Sequence, residues 1–196
     1  INNYSLKGRD MSFTLATWNI NSVRLREPIV LKLLQEQGPD VLCLQECKSP
    51  VDLIPMEGFA EAGYPYFVAR GQKGYNGVMI LSKMPIEEVA AEDFASLGHA
   101  RHIAGRLENG VTIHNFYVPA GGDKPDRAVN EKFGQKLDYL TEMRDWFKAR
   151  VTPDGSHAGR WRRDFDDSTC AVIDDVYSDS CERLRELGVS IPASGE

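Results

Sequence analysis

Residues 41–44, Val-Leu-Cys-Leu, form an unbroken apolar run one residue after the pair Gly38-Pro39. A run this short, opening on a helix stop, reads as a strand buried on both faces, as in sheets covered by helices. Upstream, Phe13-Thr14-Leu15-Ala16-Thr17-Trp18 alternates in hydrophobicity and reads as a second strand. Between them, residues 23–37 turn helical. Ile29, Val30, Leu33 and Leu34 fall on one face, and Pro28 sits in the first turns, where its missing N–H costs least. The unit of about 35 residues is long enough for a crossover between parallel strands. Any fold for this chain must contain such a unit.

The downstream pattern adds strands and one long helix. Residues 67–69 and 78–81 are apolar strand candidates flanking a polar, glycine-containing loop over 71–77. Residues 103–107 and 111–117 pair as a hairpin across Glu108-Asn109-Gly110, because Asn-Gly suits a tight primed turn. Residues 118–127, with Pro119, Gly121, Gly122 and Pro125, form a loop. Residues 128–150 are a helix with the apolar stripe Phe133, Leu137, Leu140, Met143 and Phe147. The fold class is α/β, a layered sandwich of mixed β-sheets flanked by helices.

The polar segment 1–10 has no apolar core for a secretory signal and no Met, so Met11 is the expected native start. No apolar run is long enough for a membrane span, and the expected location is cytoplasmic with no membrane partner. Residues 11–150 are read as the N-terminal part of one domain and 151–196 as a divergent acidic tail. That tail holds 5 Lys/Arg against 10 Asp/Glu, most of the formal net charge of −6. The near-neutral body neither announces nor excludes a local basic strip for nucleic acid. Cys43, Cys47, Cys170 and Cys181 lack zinc-ligand spacing and are expected to be reduced. In the tail, 171–173 is a short apolar segment and 181–187 a candidate final helix.

Three polar residues stand where core strands end: Asn19 after the first, Glu46 after residues 41–44, and Tyr117 at the close of the hairpin. Strand ends of one sheet share a rim, so these groups can converge on a cleft. A carboxylate beside an amide suits Mg²⁺, which takes hard oxygen ligands and keeps several waters. Each residue equally fits an ordinary role: a solvated Glu, an Asn turn former, a half-buried Tyr with a wet hydroxyl.

The order of motifs sharpens this. Thr17-Trp18-Asn19-Ile20-Asn21-Ser22-Val23-Arg24 resembles the first motif of the exonuclease III family of abasic-site endonucleases. Leu44-Gln45-Glu46-Cys47-Lys48 is similar to its second. Gly71-Gln72-Lys73-Gly74-Tyr75-Asn76-Gly77-Val78 resembles its substrate-side glycine loop, and Asn115-Phe116-Tyr117-Val118-Pro119 its tyrosine motif. Lys132-Phe133 and Lys136-Leu137 sit where the family's next helix carries basic residues. The resemblance covers residues 12–150. It implies an endonuclease/exonuclease/phosphatase-like sandwich of two sheets. It also implies a Mg²⁺-dependent hydrolase (or Mn²⁺-dependent) acting as a monomer on duplex DNA with abasic sites or 3′ ends, in base excision repair. Glu46 becomes the metal-binding carboxylate, Asn19 the amide ordering metal and water, and Tyr117 the phenol near the scissile phosphate. Lys73, Tyr75, Asn76, Lys132 and Lys136 become DNA contacts.

The resemblance fades in the tail. The family's Gly-Asp-x-Asn motif has a candidate only in Arg163-Asp164-Phe165-Asp166-Asp167-Ser168. Asp164 and Asp166 fill it in one register; Asp166 and Ser168 fill it in another, leading to Asp175-Val176-Tyr177. A solvated acidic loop is the plain alternative. None of His99, His102, His114 and His157 stands in a Ser-Asp-His context. The expectation is therefore a truncated or frame-disrupted enzyme, marginally stable because half a sandwich exposes apolar sheet, and impaired in catalysis. Two alternatives stand beside it: a non-catalytic remnant that binds DNA or a partner chain, and a relative that acts on phosphoinositides or sphingomyelin.

Overall fold

The computed structural model describes residues 2–8 and 11–151. Asp164, Asp166, Cys170, Cys181, His157 and the two tail segments lie outside the described residues. Among the described residues the strands are β1 (Asn2–Gly8), β2 (Met11–Asn19), β3 (Val41–Gln45), β4 (Tyr66–Arg70), β5 (Val78–Ser82), β6 (Ile86–Ala90), β7 (His102–Leu107) and β8 (Thr112–Phe116). The helices are α1 (Glu27–Gln37), α2 (Met56–Glu61) and α3 (Glu131–Val151). One sheet has the order β1-β2-β3-β5-β4 and the other β6-β7-β8.

The crossover unit forms as the sequence requires. β2 and β3 pair in parallel, with Leu15 opposite Val41 and Asn19 opposite Gln45, and α1 connects them. α1 starts at Glu27 rather than residue 23, because Ser22 already has positive φ and the chain turns until Pro28 can enter at the first helical positions. Gly38 closes it in the left-handed conformation, its N–H donating to the Leu34 carbonyl. Val30, Leu33 and Leu34 face the core, but Ile29 is exposed. Four apolar residues at i, i+1, i+4 and i+5 span a wider arc than the sheet covers. The sequence reading starts the domain at residue 11; the sheet extends upstream through β1, which pairs antiparallel with β2 from Asn2–Thr17 to Gly8–Met11.

Period-two alternation resolves the uniformly buried central strands into two cores. Leu42, Leu44, Met79 and Leu81 point to the helix side, against Val30, Leu34 and Phe59. Val41, Cys43, Val78 and Ile80 point to the other sheet, against Ile103, Leu107 and Ile113. Cys43 and Cys47 are free and buried, and burial pushes both thiols up to about 12, so they act as small hydrophobes. The β7–β8 hairpin forms where Asn-Gly places it, but not as a primed turn. Gly110 has φ 87° while Asn109 keeps negative φ, and the Gly110 N–H donates to the Leu107 carbonyl, so the glycine alone takes the left-handed position at the end of a three-residue connection. No helix among the described residues is long and apolar enough to cross a membrane.

The second sheet's outer face carries α3. His102, fully buried, stacks on Phe116 with centroids 4.5 Å apart, beside Phe94, Trp146 and His114. Its Nδ1 accepts the Glu92 N–H at 3.1 Å, so in the neutral ring the proton sits on Nε2, aimed at His114 Nδ1 3.1 Å away. Burial, then the neighbouring His114 and Arg70, push His102 down to about 4. The unfolded chain, with an ordinary histidine near 6.5, takes up this proton first as pH falls. The His102 contribution to folding stability is therefore full above pH 6.5 and declines as pH falls from there to about 4. A urea midpoint measured against pH is expected to fall through this window, and His102→Phe is expected to flatten that slope. An unchanged slope in the variant would remove His102 from the account.

Gly71 marks a close backbone approach. A Cβ there would lie 2.6 Å from both the Ser49 carbonyl oxygen and the Val51 nitrogen. Because those are backbone atoms, they cannot rotate away. Gly71→Ala is expected to cost about 1–3 kcal/mol by overpacking. A differential scan should show the midpoint several degrees lower; an unchanged midpoint would mean that the 49–51 segment yields freely.

Candidate active site at the strand ends

The three strand-end residues named from sequence converge on one carboxylate. Asn19 Nδ2 donates to Glu46 Oε1 at 2.7 Å, and the Tyr117 hydroxyl donates to the same oxygen at 2.8 Å. The Lys48 ammonium lies 3.0 Å from Oε2 and also donates to Asn21 Oδ1. Burial would raise the Glu46 pKa. The hydrogen bonds from Asn19, Lys48 and Tyr117 outweigh it and hold the carboxyl below its usual range, so Glu46 is ionised near neutrality. Tyr117 is raised in turn by burial and by Glu46, with Arg101 opposing. Its phenol stays protonated and is a donor.

Backbone geometry at the rim explains how Glu46 reaches this position. Asn21, Ser22, Glu46, Lys48 and Asn76 all have positive φ, between 50° and 87°. Residues 45–48 are gripped from both sides. Ile20, Ser22 and Val23 donate N–H groups to the carbonyls of Gln45, Glu46 and Cys47, while Cys47 and Lys48 donate to Gly77 and Asn76. These bonds offset the cost of left-handed backbone, of order 1–3 kcal/mol per residue. Strain held in place at a strand exit points to a site.

Beneath the rim lies a buried amide pair. Gln45 Nε2 donates to Asn115 Oδ1 at 2.7 Å and to Thr17 Oγ1 at 2.9 Å. Asn115 Nδ2 donates to the carbonyls of Leu44 and Met79, both at 2.9 Å. The two amides bolt the second sheet to the first, one residue before Glu46 and two before Tyr117. In the sequence both stand as neighbours of Glu46 and Tyr117 in their motifs, and their one signal is an amide in an otherwise apolar strand-end run.

The expected DNA contacts divide. Lys73 and Tyr75 are exposed on the 71–77 loop, and Tyr75 sets its ring edge-on to His99 at 6.0 Å. Asn76 does not project outward. It is 5% exposed, donates to Gln72 Oε1 at 2.9 Å, and offers its carbonyl to Lys48. It builds the rim because its left-handed φ turns the chain there. Lys132 is exposed on the first turn of α3, whereas Lys136 folds toward the Ala120 carbonyl.

Arg101 was not foreseen. Its guanidinium carbon lies 4.5 Å from the centroid of the Tyr117 ring, and it donates to the Tyr117 carbonyl at 3.1 Å. In sequence it is one more charged residue before a strand. Among the described residues no cluster of three or more His, Cys, Asp or Glu is arranged for a metal, so the rim is a one-carboxylate centre.

A family model described as the endonuclease/exonuclease/phosphatase family matches residues 16–178. Exodeoxyribonuclease III of Haemophilus influenzae is 30% identical over 138 residues, which cover 67% of this chain and 50% of that protein. The solved AP endonuclease from Archaeoglobus fulgidus superposes with a TM-score of 0.62 at 34% identity, over 70% of this chain and 51% of that one. The 3′ phosphatase NExo from Neisseria, solved with a product DNA hairpin, gives 0.61 at 30% identity, over 73% and 54%. The chain spans half or less of the length of the curated relatives it matches.

Proposed function

Since the chain belongs to the endonuclease/exonuclease/phosphatase family, we propose that it is built for metal-dependent hydrolysis of DNA phosphodiesters, at abasic sites and at 3′ ends of duplex DNA. The observation that carries this reading is the shared Glu46 oxygen: an amide from β2 and a phenol following β8 both donate to the carboxylate following β3.

The residues fit a hard divalent ion. Glu46 is ionised, lies at the rim, and already accommodates a positive charge, the Lys48 ammonium on Oε2. Asn19 has its Nδ2 committed to Glu46, which leaves its carbonyl oxygen as the second hard donor. Mg²⁺ is commonly held by one or two carboxylates with waters completing the shell, and Mn²⁺ accepts the same donors. When bound, the ion supplies charge neutralisation on a phosphoryl oxygen and at the leaving oxygen. The protein's own part is orientation. Asn19 and Tyr117 fix the Glu46 carboxylate, and the single Tyr117 O–H would leave Glu46 to donate to charge developing at a phosphate. Lys73 and Tyr75, exposed on their loop, suit the DNA backbone, with the lysine as a point charge.

Among the described residues no second acid or histidine hydrogen-bonds to Glu46 or to the Tyr117 hydroxyl, so activation of water is the function this rim supplies least. In this reading turnover by the chain is slow, and salt-dependent duplex binding outlasts it. The test is cleavage of a duplex carrying an abasic-site analogue, with Mg²⁺, against a Glu46→Gln control and a chelator. Cleavage that needs both Glu46 and the metal supports the proposal. No cleavage above the control, with salt-dependent binding retained, favours a DNA-binding remnant instead.

A further inference from the structure

We infer that Arg101 is a positioning residue for Tyr117, and that it forms with His99 a bridge between the site and the 71–77 loop; the catalytic part of this inference rests on the proposed reading of the rim. Arg101 holds Tyr117 at three points. Its carbonyl accepts the Tyr117 N–H at 2.7 Å, its guanidinium donates to the Tyr117 carbonyl at 3.1 Å, and the guanidinium carbon lies 4.5 Å from the ring centroid. Among the described residues Arg101 forms no salt bridge. An arginine left half-buried without a carboxylate partner is costly unless its charge is used, and here it lies against the π face of Tyr117.

The Arg101 side is itself fixed. Its Nε lies 3.4 Å from His99 Nδ1, and the hydroxyl of buried Tyr139, on α3, donates to its carbonyl at 3.3 Å. The His99 N–H donates to Asp93 Oδ1 at 3.2 Å, and its ring meets Tyr75 edge-on. A continuous path therefore runs from exposed Tyr75 through His99 and Arg101 to Tyr117 and Glu46. A guanidinium over one face blocks rotation of the phenol away from Glu46. The planar fork and the stack act together, which a lysine reproduces only in part.

Two measurements separate this from a structural role and from the proposed function. The first needs no activity: nuclear Overhauser contacts between the Tyr117 ring and the Asn19 side chain in the metal-free protein. Arg101→Leu is expected to lose them with backbone amide resonances elsewhere unchanged, and Arg101→Lys to keep an intermediate intensity. Wild-type intensity in Arg101→Leu overturns the inference. If that variant does not fold, wild-type intensity in Arg101→Lys overturns it and reduced intensity upholds it. The second is turnover. Arg101→Leu is expected to lower kcat on the order of tenfold with KM little changed, as for a displaced catalytic group. Added to Tyr117→Phe it should cost nothing further, because both remove the same group. Additive losses overturn the inference and place Arg101 on the substrate independently. Absence of turnover in the wild type defeats the proposed function alone, and the ring contacts then decide the inference.

Discussion

Glu46→Gln is expected to abolish metal-dependent cleavage while leaving the fold intact. The substitution keeps the shape and one acceptor oxygen but removes the charge that Asn19, Lys48 and Tyr117 converge on. A neutral amide is a far weaker ligand for a hard divalent ion, and loss of one preorganised electrostatic group costs about 100- to 1,000-fold in rate. The comparison is a single-turnover assay on an abasic-site duplex, read beside circular dichroism and a thermal scan of both proteins. Cleavage within about threefold of wild type, set against that expected loss, would show that the metal is held elsewhere. The stability effect has its own sign. Glu46 is lowered in the folded state, so it contributes stability above its ordinary value near 4.5, and that contribution is lost as pH falls below it. The variant should therefore lose part of the wild type's acid sensitivity. Tyr117→Phe should move the Glu46 carboxyl back toward its ordinary value by deleting one of the bonds that lower it.

Asn115→Leu is expected to produce the largest loss of stability. The side chains match in size, so the change is polar rather than volumetric. Asn115 is 2% exposed, and both its Nδ2 bonds and its Oδ1 bond are satisfied within the protein. Leucine leaves the carbonyls of Leu44 and Met79 without that donor, and Gln45 without its acceptor across the sheets. Each orphaned buried group costs about 1–3 kcal/mol, partly recovered by relaxation, so a net loss of about 3 kcal/mol is expected. Urea unfolding at pH 7 measures it directly. The double variant Gln45→Leu, Asn115→Leu should cost less than the two singles together, because the second change removes a group the first has orphaned. A loss under about 0.5 kcal/mol, the range of ordinary surface changes, would mean that the pair contributes nothing. The same pair sets the spacing of the two sheets at the rim, so the single variants should weaken cleavage as well.

Much of this architecture is readable along the chain. Strands β2, β3, β5, β7 and β8, the parallel crossover and the Asn-Gly hairpin follow from alternation, apolar runs and turn chemistry, which are local. The convergence of Asn19, Glu46 and Tyr117 was legible because each follows a core strand, and strands of packed sheets end on shared rims. Elements without a strong pattern were not legible. Strand β6, Ile-Glu-Glu-Val-Ala, is mostly exposed and, among the described residues, pairs along one edge with β7. Helix α2 has six residues, and its one fully buried side chain is Phe59. The first turns assigned to α1 went instead to the loop that grips Glu46, a tertiary demand that overrides helical periodicity.

The sequence alone determined the apolar runs that bury in β2, β3 and β5 and where α1 stops, because those follow from burial periodicity and from Gly38 and Pro39. It also named the carboxylate, the amide and the phenol that meet at the rim among the described residues, Glu46, Asn19 and Tyr117. Only the tertiary structure decided that Glu46 would be held ionised by two donors from distant segments, Asn19 and Tyr117, together with the nearby Lys48. It also turned Asn76 inward to build the rim, and placed Arg101 over Tyr117. The reason is one of range. Hydrophobic patterning acts residue by residue along a strand, whereas a carboxyl's charge state and a phenol's orientation depend on groups brought within about 3–5 Å by sheet packing. No spacing in the chain encodes those distances.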